Sequence, residues 1–527
     1  MMKMKKLGSL VLALSMITSL ALAGCGSSGD DSAASTSASA STSASTVAAE
    51  TTASGDVDAS KLEPYELNCY FLAPQVKDLP LVQDEVNKLL KEKINATIKL
   101  NYFWWDNYQD KQRLVVASGE KIDTMFSPAW WGYSNFVAQK AWLELDDLLA
   151  EYGKDITANI NPSYLKAPII NGKLYGIPTG KDMFGNGGVL INKALAEKYN
   201  MDFSNVKEPA DFEPFLQTIK DNEPGVTPFV VSRGDQVGYF TQDIFDRVAN
   251  VEVYIGWKKS DSSDIKVINI LEDPEFQKQI NLANSWYKKG LINKDVATLL
   301  DSVPVKKAQK AFMWGEQLKP GKEAEMKAQL GYDLIQVSAY AGRQYYVGTG
   351  DLTNSMLSIS RTSKDPARAM MFINLLFKDK QLKNLLDWGI EGKHYKKIGE
   401  NQIDFADGVT AETSGYTGLA QWAMGGSQFL DYLWANEAPD KWEQMEKFNN
   451  SAKPQKMLGW TYDQTNVKTE IATLTNVGRT YVEPMNNGVA SFEEGYPKLK
   501  KALDAAGMQK VIDDAQKQLN EFMASQK

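Results

Sequence analysis

Residues 62 to 152 constrain the fold most tightly, because their apolar periodicity switches repeatedly between two and 3.6. Tyr65, Leu67, Cys69 and Phe71 alternate as a strand, Val82, Val86, Leu89 and Leu90 fall at helical spacing, and Ala96, Ile98, Leu100 and Tyr102 alternate again. The spacing then predicts a helix over 108–118 with Gly119 placed to stop it, a short apolar strand over 122–126, and a further helix marked by Trp142, Leu145, Leu148, Leu149 and Tyr152. Strand, helix, strand in succession predicts a mostly parallel sheet covered by helices. Ligands of such sheets sit beyond the carboxyl ends of the strands.

A second stretch, 171–200, reads as a crossover. Leu174, Tyr175 and Ile177 form an apolar run closed by Pro178; Gly180, Gly185, Gly187 and Gly188 loosen the backbone; Val189 to Ile191 then lead into a helix. The expectation is two α/β lobes with a cleft beside this connector, and 527 residues are enough for more than one core. Beyond it, Phe212, Phe215, Leu216 and Ile219 predict an amphipathic helix, 228–231 a strand, and Phe276, Ile280, Ala283 and Tyr287 a helix ended by Gly290. Asp365 and Pro366 have the form of a cap and first turn. Leu499 and Leu503, a stop at Gly507, then Val511, Ala515 and Leu519 predict a helical C-terminus.

The loops after the first three strands are informative. They read Ala73-Pro74-Gln75, Phe103-Trp104-Trp105-Asp106, and Ser127 through Trp130-Trp131 to Tyr133, so two of them offer paired tryptophans where a ligand would lie. The chain has thirteen tryptophans but only seven arginines, and arginine is the usual clamp for carboxylate or phosphate. That balance favours an uncharged, flat-faced ligand such as a sugar, whose C–H faces lie on aromatic rings. Indoles also fill cores, and for each single tryptophan that reading stays open.

Other chemistry is excluded by counting. A formal charge of −8 gives no electrostatic reason to bind nucleic acid or anionic lipid. His394 is the only histidine, so a histidine-rich zinc site is ruled out; no phosphate-binding glycine loop occurs, and Asp404, Asp407 and Gly408 lack the spacing of a calcium loop. No metal or cofactor is expected. A pair of catalytic carboxylates stays open among 66 acidic residues.

Lys3, Lys5 and Lys6 followed by a mostly apolar run over 7–22 and small residues at Ala23 and Gly24 form an export signal. Residues 26–60 are Ser, Ala, Thr and Gly with a few acids and no large apolar residue except Val47 and Val57, and cannot build a core; as a flexible coil they would reach roughly 30–35 Å. Cys69 is the only thiol besides Cys25, so no intramolecular disulfide is expected, and its place on an alternating strand marks it as a small buried hydrophobe.

Several motifs carry a family resemblance. Leu22-Ala23-Gly24-Cys25 resembles the lipobox of bacterial lipoproteins, which implies a lipidated Cys25 at the mature N-terminus. The segments ASGEKIDTMF (117–126), GKLYGIPTG with GVLINKAL (172–195), SWYKKGLINKD (285–295) and 360–376 resemble the substrate-binding lipoproteins of bacterial carbohydrate ABC transporters. WGIEGKHY (388–395) and the stretch from Leu458-Gly459-Trp460 to Ile471 are similar to a subgroup of large sugar-binding lipoproteins. The resemblance implies an α/β, two-lobed periplasmic-binding-protein type II fold with hinge crossovers and a helical C-terminal segment. The expected order is signal peptide 1–24, lipidated linker 25–61, first lobe 62–178, second lobe 179–335, return to the first lobe 336–395, and a C-terminal segment 396–527 with the second lobe and helices.

The implied function is capture of a carbohydrate, an oligosaccharide by preference, and delivery to membrane permease subunits. The protein would be a monomeric non-enzyme, anchored by lipid on the outer face of the cell membrane. Candidate ligand residues are Gln75, Trp105, Trp130, Trp131, Lys181, Asp182, Trp314, Trp388, Glu391 and His394. Glu391 and His394 either bond sugar hydroxyls or pin their own turn. The alternatives are the same fold binding a peptide or metal chelate, an anchored glycoside-active enzyme, and a purely structural lipoprotein.

Overall fold

The computed structural model describes residues 58–233, 239–249 and 252–526. The export signal, Cys25 and the linker up to residue 57 lie outside the described residues.

Two mixed sheets organise the chain. The first contains β1 (Tyr65–Leu72), β2 (Ala96–Phe103), β3 (Thr124–Phe126), β4 (Ile177–Pro178) and β9 (Met356–Ile359), in the order β2-β1-β3-β9-β4. β1 runs parallel to β2 and β3, while β9 is antiparallel to both its neighbours. Leu67, Cys69 and Phe71 are wholly buried, as the alternation requires, and the helix Leu79–Ile94 lays Val82, Val86, Leu90 and Ile94 against the sheet. The helix Tyr108–Ser118 stops at Gly119, whose φ of 71° suits a residue without Cβ. Asp365 caps the helix Pro366–Leu375 by accepting from the Arg368 N–H.

The second sheet contains β5 (Asn186–Asn192), β6 (Thr227–Phe229), β7 (Ala311–Leu318) and β8 (Leu334–Ser338), in the order β8-β5-β7-β6. Its two central strands, β5 and β7, are buried on both faces along their apolar runs. Val189 and Ile191 point into one core and Leu190 into another, and Phe312 and Trp314 divide the same way, which explains their unbroken apolar runs. A third core joins the segment 244–271 to Trp460, Leu474, Leu499, Val511 and Leu519 of the C-terminal helices. The helix Pro274–Lys288 spans this core and the second sheet's, contributing Phe276 and Ile280 to one and Ala283 and Trp286 to the other.

The structure is two-lobed. Three stretches connect the cores: 179–185 between β4 and β5, 339–355 between β8 and β9, and 425–456 between the first core and the third. Each brings one ring to a shared junction: Phe184 stacks on Phe448 at 4.3 Å and lies 5.4 Å from Tyr345.

Some elements differ from expectation. The helix expected from Trp142 begins only at Asp146, because Trp142 is drawn into a bridge with Ser360 beside the first sheet. The strand expected over 228–231 is Thr227–Phe229. Tyr416, Leu419, Ala423 and Met424 pack into the first core, while Tyr395–Lys397, Gln402–Phe405 and Leu433–Trp434 form a small sheet of their own.

Candidate functional site

The carboxyl ends of β2 and β3 carry a cluster of indoles. Trp104 and Trp105 follow directly on Phe103; Trp130 and Trp131 sit in the short 3-10 turn Ala129–Trp131. Gly132, at a φ of 90°, reverses the chain immediately afterwards and keeps both rings at the sheet edge. Trp105 stacks on Trp130 with centroids 5.7 Å apart and planes 25° from parallel, and it meets Trp131 at 5.6 Å and Trp422 at 5.9 Å. Trp131 lies flat against Tyr108 at 5.3 Å, and Phe126 sits beneath, 5.8 Å from Trp422.

The cluster is a platform with an open side. Trp105 is 47% exposed and Trp130 41%, unusual for so large an apolar side chain. Backbone bonds fix its pitch. The Trp130 indole N–H donates to the Asn354 carbonyl at 2.9 Å, and the Trp422 carbonyl accepts from the Ser355 hydroxyl at 2.5 Å.

The structure brings together three of the ten candidate ligand residues, Trp105, Trp130 and Trp131, and leaves the others elsewhere. Gln75 is exposed, but its amide donates to the Tyr102 carbonyl. Lys181 and Asp182 do lie on the first crossing, but as a buried ion pair 3.1 Å apart, with Lys319 3.3 Å from the other carboxylate oxygen. Burial works against the Asp182 charge, yet Lys181 and Lys319 outweigh it and hold the carboxyl well below the usual range. Asn449 closes this joint by accepting from the Met183 N–H and donating to the Lys181 carbonyl.

Trp314 is 1% exposed in a core of the second sheet and presents no face to a ligand. Its strand is apolar on both sides, so its ring is packing. Trp388 packs edge-on against Trp434 at 5.5 Å, and Glu391 pairs with Lys397 at 3.1 Å on the surface. His394 is 1% exposed; its Nδ1 accepts from the Ile390 N–H at 2.8 Å, so Nε2 carries the proton toward Asp78, 3.2 Å away. Burial lowers its pKa against the pull of Asp78. Gly389 permits the arrangement: at a φ of 83°, a Cβ there would meet His394 Nδ1 at 2.4 Å. WGIEGKHY is therefore a turn pinned by its histidine.

Sequence reasoning missed Trp422, which no local signal places beside the other indoles. It also missed Asn354, which acts through its carbonyl.

A family model described as bacterial extracellular solute-binding protein matches residues 73–383, more than half of the chain. The chain belongs to that family. A second model, a domain of unknown function, matches residues 456–524 of this solute-binding protein. A carbohydrate ABC transporter substrate-binding protein of Streptococcus pneumoniae is 29% identical over 465 residues, covering 86% of this chain and 91% of that one. The crystal structure of the N-glycan transport solute binding protein NgtS from the same species is 26% identical, covers 88% of this chain and 100% of its own, and superposes with a TM-score of 0.78. NgtS in complex with Man5GlcNAc is also similar, at 26% identity, 88% and 100% coverage and a TM-score of 0.70. The family is extracellular, so the solute-binding protein works outside the cytoplasm.

Proposed function

We propose that this protein captures an oligosaccharide on the tryptophan platform and delivers it to an ABC importer. The observation that carries the reading is the open stack of Trp105 on Trp130, backed by Trp131 and Trp422, at the carboxyl edge of the first sheet. Sugar faces stack on indoles at about 1 kcal/mol per ring, and three such contacts with a few net hydrogen bonds reach the roughly 8 kcal/mol of a micromolar complex. The carbohydrate-transporter relative and the glycan complex of NgtS support the ligand class. In this reading residues 62–178 and 336–395 make up the first lobe, and 179–335 the second. The lobes close about the crossings, held in register by the Phe184, Tyr345 and Phe448 rings.

The same reading has Cys25 lipidated on the outer face of the membrane, the segment after it acting as a tether, permease subunits as the receiving partner, and no covalent chemistry on the ligand. Titration calorimetry of the wild-type chain tests it. Man5GlcNAc or Man1GlcNAc gives saturable heat, a tetrapeptide and a chelated metal give none, and the glycan is recovered intact. Heat with the peptide or chelate and none with any glycan would overturn the ligand class. Turnover of the glycan would overturn the non-enzymatic role.

A further inference from the structure

The bonds that hold the platform converge on one short segment. The Thr353 carbonyl accepts from the Ala129 N–H at 2.9 Å, the Asn354 carbonyl from the Trp130 indole at 2.9 Å, and the Ser355 carbonyl from the Thr179 N–H at 3.0 Å. With the Ser355 hydroxyl on Trp422, residues 353–355 touch the Trp130 loop, Trp422 and the first crossing.

Immediately before it, the helical turn Thr349–Leu352 carries Asp351, which accepts from the Gly348 N–H at 2.8 Å. Lys259 reaches both oxygens of that carboxylate, at 3.1 and 3.0 Å, and lies 3.4 Å from Asp246. The lysine side chain is 7% exposed, so this is a buried cation shared by two acids. Burial disfavours its charge, but Asp246 and Asp351 reverse the effect and raise its pKa. Both Asp246 and Lys259 belong to the hairpin that leads through Trp257.

That hairpin is held from the C-terminal side. Gln455 donates to Asp246 and accepts from the Trp257 indole N–H at 3.0 Å; Trp257 lies 5.4 Å from Trp460; and Phe245, Ile255 and Trp257 share one core with Leu474, Val511 and Leu519. A continuous path therefore runs from the C-terminal helices through the hairpin and Asp351 to the indoles.

We infer that the C-terminal region from Gln455 onward, in which residues 456–524 match a domain of unknown function, is a positioning element of the ligand site, acting through Lys259 and Asp351 on the pitch of Trp130 and Trp422. As a statement about ligand binding it rests on the proposed role of the platform. Lys259 and Asp351 are positioning residues and touch no ligand. Without Lys259, two largely buried carboxylates face each other with no shared cation, and their repulsion shifts the turn at 349–352 and the carbonyls that follow it.

The test uses the full chain and two readouts. The exciton couplet of the stacked indoles in circular dichroism is read without ligand, and the affinity for Man5GlcNAc is read by calorimetry. Lys259→Met is expected to diminish the couplet and weaken binding about tenfold, while Lys259→Arg keeps both within about threefold. Gln455→Leu, which cuts the C-terminal region's own bond to Asp246, is expected to weaken binding about threefold with a smaller change in the couplet. A folded Lys259→Met with unchanged couplet and affinity would overturn the inference. An effect of Lys259→Met with none of Gln455→Leu would remove the C-terminal region from it. Should Lys259→Met fail to fold, Asp351→Asn is read in its place, with an unchanged couplet again overturning the idea. A wild-type chain that ignores Man5GlcNAc would count against the proposed function alone, since the couplet still decides the positioning role.

Discussion

The tryptophan platform at the carboxyl edge of the first sheet and the charged joints that involve the crossings are built in opposite ways. At the platform, Trp105 and Trp130 stack on each other and leave ring surface open to water. At the joints, Lys181 with Asp182 and Lys319, and Lys259 with Asp246 and Asp351, are withdrawn from solvent and committed to one another. An aromatic face attracts a guest without demanding a fixed direction, whereas a buried ion pair is directional and has little left to offer a ligand. On the proposed reading, affinity belongs to the first region and geometry to the second. It also shows why residue type alone misleads: a lysine and an aspartate on the first crossing are committed to each other here, while apolar rings are the groups left open.

The comparison is tested hardest by removing, in separate variants, a core indole and the platform pair. Trp314→Ala should cost about 4 kcal/mol of stability in denaturant unfolding, because it empties a core site, while glycan affinity stays within about threefold. Trp130→Ala combined with Trp131→Ala should do the reverse. Binding falls about a hundredfold, about 3 kcal/mol by calorimetry, with a loss of stability no larger than about 2 kcal/mol. If the two variants lost affinity equally, the division of labour would be wrong.

A pH-dependent effect comes from Asp243, a buried acid facing Lys259 and Arg343 as well as Asp351, which accepts from the Gly187 N–H at 2.6 Å. Burial pushes its carboxyl up to about 7 against the attraction of Gly187, Lys259 and Arg343. The folded state therefore holds this proton when the unfolded chain has lost it. The resulting stabilisation is complete below about pH 4 and is lost as pH rises toward 7. Asp243→Asn should remove that slope, on the order of 4 kcal/mol, from melting curves recorded between pH 4 and 7. A slope unchanged in the variant would place its origin elsewhere. The least effect is expected at Glu391: its exposed pair with Lys397 is worth under about 0.5 kcal/mol, so Glu391→Gln should leave stability and glycan affinity alike. A tenfold loss of affinity there would bring the turn at 388–395 into the site.

Much of the first sheet and its helices was legible because these elements are locally consistent. Leu67, Cys69 and Phe71 alternate and are buried, Val82, Val86 and Leu90 share one helix face, and Gly119 and Asp365 end and start helices as their chemistry dictates. Trp105, Trp130 and Trp131 were readable for the same reason, standing in loops just after apolar strands. Trp422 was not, since only tertiary packing carries it to Trp105. The pairing of Asp182 with Lys319 was hidden likewise, its partner lying far along the chain at the end of β7. Trp314 did carry a signal: the run Ala311-Phe312-Met313-Trp314 is apolar without alternation, which marks a strand buried on both faces rather than an edge facing a ligand.

The central claim is that the guest lies on the open rings. Hydroxyl-radical footprinting with and without Man5GlcNAc measures it directly, indole by indole. The account predicts strong protection of Trp105 and Trp130, which are 47% and 41% exposed, and no change at Trp314 or Trp286, which water does not reach. Saturable glycan binding that leaves Trp105 and Trp130 as reactive as before would contradict it.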